Sequence, residues 1–308
     1  MSSKKSTNGR FILLRSAFRI TEYVAPGVGA RILDRIWFRL PVVPDRAKRL
    51  RVELPAGTPI EAPLDGGTIR GTAWGSGPTV YLFHGWGGWA LQLAAFITPL
   101  TDSGFRVIAF DVPSHGASDP SRHGPGTSTM PEFADALQAM IAAHGPAYGV
   151  VAHSFGAAAT TLALAEGLSA RRVVYLSAAT DFADALAGYQ RVFGFGPRIV
   201  ARFQARFIRR IGRPLADFEA VRIIDELVEE RDLPALLAIH DRGDAETPYT
   251  GSEKIARIWP DARLELTDGL GHNRILRDPL VVLSVTDFLS TDQVVSDDVR
   301  QVRETMHG

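Results

Sequence analysis

The sequence contains no cysteine. Disulfides, thiol nucleophiles and cysteine metal sites are therefore excluded. It also lacks an excess of either charge, with 34 basic and 34 acidic residues. Nucleic acid is not expected as a partner, because proteins that bind it usually carry a basic surplus. No apolar run approaches the roughly 20 residues needed to cross a bilayer. Internal repeats, low-complexity tracts and a P-loop are missing too. Gly85, Gly87 and Gly88 follow an apolar strand but do not make G-x-G-x-x-G, so a dinucleotide is not expected. His123, His144, His240 and His307 have no metal-ligand spacing. Neither a metal nor a cofactor is expected. Phe11–Leu14 follows two lysines, but Arg15, Arg19 and Glu22 interrupt any signal-peptide core. The expectation is a cytoplasmic protein.

What is present suits one large soluble domain. The chain has 308 residues, 45% of them apolar and 22% charged, enough to bury a substantial core. The most informative segment is Ala152–Gly156, Ala-His-Ser-Phe-Gly. It lies between the apolar run Tyr148–Val151 and the small-residue stretch Ala157–Leu164. A strand that stops at a serine and turns at once into a helix forces that serine into a cramped backbone. Small residues two before and two after leave room for the turn. The serine oxygen is then held clear of the sheet, at the positive end of a helix.

Other apolar strands end in reactive side chains. Thr79–Phe83 runs into His84–Gly88, and Arg106–Phe110 ends at Asp111, before Pro113, Ser114 and His115. Ala235–Ile239 leads to His240, Asp241 and Asp244, with Pro248 beyond; Ala262–Leu266 leads to Gly269 and His272. A serine needs a base to become a nucleophile, and the base needs a carboxylate to orient it. These three appear in the order serine, acid, histidine.

On these motifs the chain resembles the α/β-hydrolase fold superfamily, in its serine esterase and lysophospholipase-like group, over roughly residues 50 to 290. The usual G-x-S-x-G elbow carries Ala152 in place of its first glycine. The resemblance implies an α/β fold with a mostly parallel central sheet flanked by helices and a small helical cap. The implied layout is an N-terminal basic amphipathic helical segment (1–48), the first part of the core (49–180) and a cap insertion (181–234). The second part of the core (235–291) and a C-terminal tail (292–308) complete it.

It implies Ser154 as nucleophile, His272 as base and Asp244 as its acid. The Asp-x-x-x-Pro spacing to Pro248 matches the family's acid loop, while Asp181, Asp241 and Asp268 stay open as alternatives. The oxyanion would take backbone N–H groups of Phe155 and Trp86. His84, His115 and His153 read as structural. An aspartate nucleophile is excluded at position 154, and with it the dehalogenase and epoxide-hydrolase chemistries of this fold. The implied substrate is a small-molecule ester with an apolar acyl or aromatic group. Thioesterase, lactonase and cofactor-free perhydrolase activities share the same residues, and a non-catalytic binding protein of this fold is the alternative of another class.

Two segments lie outside those motifs. Residues 178–234 are too many for one strand connection and carry Phe193, Phe195, Phe203, Phe207 and several arginines. Ile199, Phe203, Arg206 and Arg210 follow helical spacing, so one or two cap helices are expected. Trp86, Phe193, Phe203 and Phe207 are the expected substrate contacts, and the arginines are expected to face water. In residues 1–50, Lys4, Lys5, Arg10, Arg15, Arg19, Arg31, Arg35, Arg39, Arg46, Lys48 and Arg49 are opposed only by Glu22, Asp34 and Asp45. Ile32, Ile36 and Leu40 share a helical face beside Trp37. Such a helix can lie on an anionic membrane, but the expectation is that its apolar face packs on the catalytic domain.

Overall fold

Eight strands form one sheet. They are β1 (Thr58–Leu64), β2 (Gly67–Trp74), β3 (Thr79–Phe83), β4 (Arg106–Asp111), β5 (Ala147–His153), β6 (Ala170–Leu176), β7 (Ala235–Asp241) and β8 (Ala262–Thr267). Their spatial order is β1-β2-β4-β3-β5-β6-β7-β8. The β1–β2 and β2–β4 pairs are antiparallel, and every other pair is parallel. The mostly parallel sheet expected from the sequence is thus present. The computed structural model describes residues 2–44 and 52–291. The expected tail at 292–308, the boundary at 48/49 and Arg46, Lys48 and Arg49 lie outside the described residues.

Local sequence explains where each strand sits. Every residue of β3 is buried, as a strand covered on both faces by helices requires, and it reads as an unbroken apolar run. β1 is an edge strand containing Pro59 and Pro63, a residue that cannot donate to a central ladder. Helices α3 (Ile97–Asp102), α4 (Met130–His144) and α5 (Phe155–Ala165) follow β3, β4 and β5. In α5 every residue from Gly156 to Leu164 is buried. Its alanines and threonines let it lie close to the sheet with neighbours all round. Thr129 caps α4 by accepting from the Glu132 amide.

Between β6 and β7 stand α6 (Phe182–Phe193), α7 (Pro197–Ile211) and α8 (Ala220–Glu230). α8 packs on α5 and on α9 (Thr250–Ile258) beside the sheet, as the ordinary crossover helix of a parallel strand pair does. Only α6, α7 and the turn at Leu215–Phe218 are additional. The 181–234 segment therefore splits into an inserted part and a sheet-flanking part, a division that composition could not reveal.

The first 37 residues supply α1 (Ser2–Val24) and α2 (Pro26–Trp37), which dock on α7. The Glu22 carboxylate accepts the amides of Gly196 (2.9 Å), Arg198 (2.9 Å) and Ile199 (3.2 Å). One buried carboxylate from α1 thereby satisfies the open N–H groups at the start of α7, where Gly196 offers no side-chain cap. Asp34 of α2 is buried and accepts from Arg206 (3.5 Å) and Arg210 (3.2 Å). Those two arginines were expected to face water and instead tie α7 to α2. Trp37 packs on Tyr189 and Phe203 at ring separations of 5.4 and 5.5 Å, so the apolar face of α2 is already covered. No helix among the described residues is long and apolar enough to cross a membrane.

Candidate active site

Ser154 sits between β5 and α5 with φ 54° and ψ −118°, a region that side-chain-bearing residues rarely adopt. Tight packing holds it there. A Cβ on Gly156 would lie 2.6 Å from the His84 carbonyl oxygen, and one on Gly85 would lie 2.9 Å from both His153 O and Ser154 Cβ. Both glycines are needed so that the loop after β3 can close on the elbow. Ala152 is fully buried, so its methyl group is accommodated where a glycine is usual.

Three side chains from distant parts of the chain meet at this elbow. Ser154 Oγ donates to His272 Nε2 at 3.0 Å, and His272 Nδ1–H donates to Asp244 Oδ2 at 2.7 Å. His272 opens the short helix α10 (Gly271–Arg274) beyond β8, and Asp244 lies in the loop beyond β7. β5, β6, β7 and β8 run parallel and adjacent. Their ends therefore deliver these residues to the same edge of the sheet.

The carboxylate is held firmly. Asp244 Oδ1 accepts the amides of Glu246 (2.8 Å) and Thr247 (3.0 Å), and the Thr247 hydroxyl donates to Oδ2 at 3.1 Å. His240 Nε2 lies 3.4 Å from the same Oδ2. Burial alone would raise the Asp244 carboxyl. Hydrogen bonds from His240, His272 and the two amides outweigh it and hold the group well below the usual carboxylate range. The alternatives are engaged elsewhere. Asp181 caps α6 through the Asp184 amide (2.7 Å), and Asp268 pairs with Arg242 (3.1 Å). Asp241 accepts from the Leu270 amide (2.7 Å) and the Thr267 hydroxyl (2.9 Å), so it braces the loop that carries His272.

Three further histidines are buried and committed. His84 Nδ1–H donates to Gly85 O (2.8 Å) and its Nε2 accepts from the Val112 amide (3.3 Å). His115 Nδ1–H donates to Pro113 O (2.9 Å) and its Nε2 accepts from the Gly87 amide (3.0 Å). His153 Nε2–H donates to the His272 carbonyl (3.0 Å). Desolvation lowers His84 to about 4, His115 to about 3 and His153 to about 3, the last two helped by a neighbouring imidazole.

Each folded value is below the ordinary 6.5, so the unfolded chain binds protons first as pH falls. Their contribution is intact above about pH 6.5 and is lost progressively below it, at about 1.4 kcal/mol per pH unit for each proton. Urea unfolding at stepped pH should show stability falling steeply between pH 6.5 and about 4. A flat profile from pH 6.5 to 5 would contradict neutral burial of the three rings.

Two spaces adjoin the elbow. A cleft of about 550 Å³ contains Ser154, His153 and His272, with Trp86, Gln92 and Arg277 on its walls. Pro41 and Val43, which follow α2, also line it. Sequence reasoning missed Glu246 and Asn273 here. Glu246 Oε2 lies 3.8 Å from His272 Nε2, and its Oε1 accepts from Asn273 Nδ2 (3.1 Å), whose Oδ1 accepts from Gln92 (3.2 Å). His240 and Thr247 were missed as supports of Asp244. The Asp244–Thr247 spacing is an available signal, since an aspartate readily accepts amides two and three residues on.

The second space is an apolar cavity of about 150 Å³ lined by Trp86, Phe155, Tyr189, Phe207 and Phe218, among others. Trp86 borders both spaces, and its ring lies 5.1 Å from that of Phe155. The expected contacts Phe193 and Phe203 do not line it and are corrected. Phe193 packs on Phe11, Phe18 and Tyr189, and Phe203 is fully buried against Trp37 and Phe207. Both are spent on holding α6 and α7 to α1 and α2. Ser128 and Thr129, just before α4, are buried at the cavity wall.

A family model described as the alpha/beta hydrolase family matches residues 80–285. No curated protein sequence matches the chain. Among solved structures, an esterase from Exiguobacterium antarcticum is 18% identical with a TM-score of 0.56, covering 76% of this chain and 99% of its own. A monoacylglycerol lipase from Paleococcus ferrophilus is 22% identical with a TM-score of 0.55, covering 72% and 98%. The thioesterase domain from the curacin biosynthetic pathway is 15% identical with a TM-score of 0.54, covering 77% and 100%. At such identities the likeness is one of fold.

Proposed function

The chain belongs to the alpha/beta hydrolase family, and from that premise we propose that it is a serine hydrolase of carboxylic esters working through a covalent acyl-enzyme. The observation that carries this reading is the hydrogen-bonded chain from Ser154 through His272 to Asp244, at 3.0 and 2.7 Å. His272 takes the hydroxyl proton as Ser154 Oγ bonds to the ester carbonyl carbon, and Asp244 holds the resulting imidazolium. The carbonyl oxygen becomes an oxyanion. The amides of Phe155 and Trp86 have no hydrogen-bond partner among the described residues and are assigned to it. Collapse of the tetrahedral adduct breaks the ester C–O bond, and His272 gives its proton to the departing alcohol. Water then repeats the sequence: His272 removes its proton, and the acid leaves while Ser154 is restored.

The apolar cavity beyond Trp86 and Phe155 suits the acyl or aromatic portion of the substrate, with α6 and α7 as its cap. The cleft with Gln92, Glu246 and Asn273 suits the more polar leaving group. Thioesters and lactones share every step, as does perhydrolysis with peroxide in place of water.

A fluorophosphonate probe should label Ser154, and a panel of acyl esters of increasing length should show an optimum. Phe207→Ala, which enlarges the cavity, should move that optimum toward longer chains. Absence of labelling would favour a non-catalytic binding protein. Labelling with equal relative rates for the wild type and Phe207→Ala would put the acyl group elsewhere. Thioesters, lactones and peroxide in the same panel separate the remaining chemistries.

A further inference from the structure

Helix α1 buries one face and leaves a large apolar face outward. Leu14, Phe18 and Glu22 point inward, with Phe18 fully buried. On the opposite side Ile12, Leu13, Ile20, Tyr23 and Val24 are 62, 71, 62, 76 and 75% exposed. Ile20, Tyr23 and Val24 share one side of the helix, with Leu13 two turns before Ile20. A cluster of this size is uncommon on a free surface and marks an interaction site.

Among the described side chains, the exposed charges of α1, α2 and α7 are all of one sign. Arg15 and Arg19 flank it and reach the turn between α6 and α7, where a Cβ on Gly194 would lie 3.3 Å from Arg15 Nε. On α2, Arg31 and Arg35 are exposed one turn apart. On α7, Arg198, Arg202 and Arg209 are exposed along one edge, next to the Arg206 and Arg210 side that meets α2. None of these seven arginines has an ionic partner among the described residues. The acids that could oppose them are withdrawn: Glu22 and Asp34 are buried and α7 has none. Asp184, exposed on α6, lies at the far end of that helix from Arg191.

We propose that the outward face of α1, with the arginines of α2 and α7 beside it, is a docking surface for an anionic phospholipid bilayer. Apolar side chains on one side of a helix, rimmed by arginines, match the acyl boundary and the charged headgroups together. A second copy of this chain is a poorer occupant, because pairing the same face would bring its unopposed arginines against their own kind. The α2 face around Trp37, which the sequence assigned to packing rather than to a membrane, is covered by Tyr189 and Phe203. The surface belongs to α1 because α2 and α7 use their apolar sides on each other.

The test is co-sedimentation of the full-length protein with phosphatidylcholine vesicles, with and without phosphatidylserine. Binding is expected only to the anionic vesicles, and it should decline as salt rises. Ile20→Glu with Val24→Glu, and separately Arg15→Glu with Arg19→Glu, should each weaken it by about tenfold or more. Because the chain has no cysteine, a single Ile20→Cys can carry an environment-sensitive fluorophore and report insertion without disturbing the fold. Its emission should shift to the blue on anionic vesicles, while the same dye at Leu280→Cys, also highly exposed (76%), should not change. No sedimentation with anionic vesicles at low salt, or an Ile20→Cys dye that stays unshifted, would overturn the proposal. So would a dimer in solution that Ile20→Glu with Val24→Glu dissociates, which would give the face to a second copy.

Discussion

Ser154→Ala is expected to lower ester turnover by on the order of 10⁴ to 10⁶, because triad members act as a unit. The substitution removes the hydroxyl proposed to attack the carbonyl and leaves His272 Nε2 without its 3.0 Å partner. Alanine meets the same backbone demand as serine at φ 54°, and the packing from Gly85 and Gly156 is untouched. The melting temperature should therefore stay within about 3 °C of the wild type. His272→Ala should cost about as much in turnover, and the double variant little more than either alone. Rate enhancement remaining in the variants, on the order of 10³ over water, would come from binding and the oxyanion donors. Steady-state turnover of a short soluble ester, with a thermal melt, measures both parts. Ser154→Ala retaining a tenth of the activity would sink the acyl-enzyme mechanism.

Asp244→Asn should lower turnover by on the order of 10³ to 10⁴. The carboxylate offers His272 only acceptors. The Glu246 and Thr247 amides fix Oδ1, and the Thr247 hydroxyl and His240 surround Oδ2. With two amide donors on one oxygen, the asparagine carbonyl is drawn to Oδ1 and its NH₂ is left facing His272 Nδ1. That ring then keeps its proton on Nε2, where it cannot accept from Ser154. The imidazolium formed in the reaction also loses its counter-charge. Asp181→Asn, by contrast, keeps an N-cap acceptor for the Asp184 amide and should change turnover by less than about threefold. Measured side by side, a larger loss for Asp181→Asn would reassign the acid. The depressed Asp244 carboxyl adds a pH signature. Its stabilising contribution is present above the unfolded carboxylate value near 4 and fades as pH falls toward its own lower value.

Much of the elbow was legible because its determinants are local. An apolar run, a serine, small residues on either side and an alanine-rich helix all fall within Tyr148–Leu164, and each imposes its conformation through neighbours in the chain. The same holds for β3, an unbroken apolar run that must be buried on both faces. The Asp244–Pro248 loop carries its own signal in the spacing of its acceptors and amides. His240 had none: it becomes a neighbour of Asp244 only because the loop folds back over the end of β7.

Phe193 and Phe203 show where such reading stops. Their apolarity and helical spacing place them on an inner face of α6 or α7, but two inner faces exist there. One meets the cavity with Phe207, and the other meets α1 and α2. Composition cannot choose between them, since burial of a phenyl ring is equally favourable in either contact. Only the docking of α1 and α2, through Glu22 at the start of α7 and Asp34 against Arg206 and Arg210, assigns them. The arginines of α7 divide in the same way, Arg206 and Arg210 tied to Asp34 and Arg198, Arg202 and Arg209 facing outward.

The sequence by itself determined which short segments turn, extend or coil, and hence the strand-to-helix serine and the fold family it belongs to. The tertiary structure alone decided which distant side chains touch. His272 and Ser154 are separated by 118 residues, and their 3.0 Å contact exists only because four adjacent parallel strands end on the same edge. Hydrophobic burial is non-directional, so an apolar pattern says that a surface will be covered without saying by what. The partner is set by shape and by the few polar groups that must be satisfied where the surfaces meet.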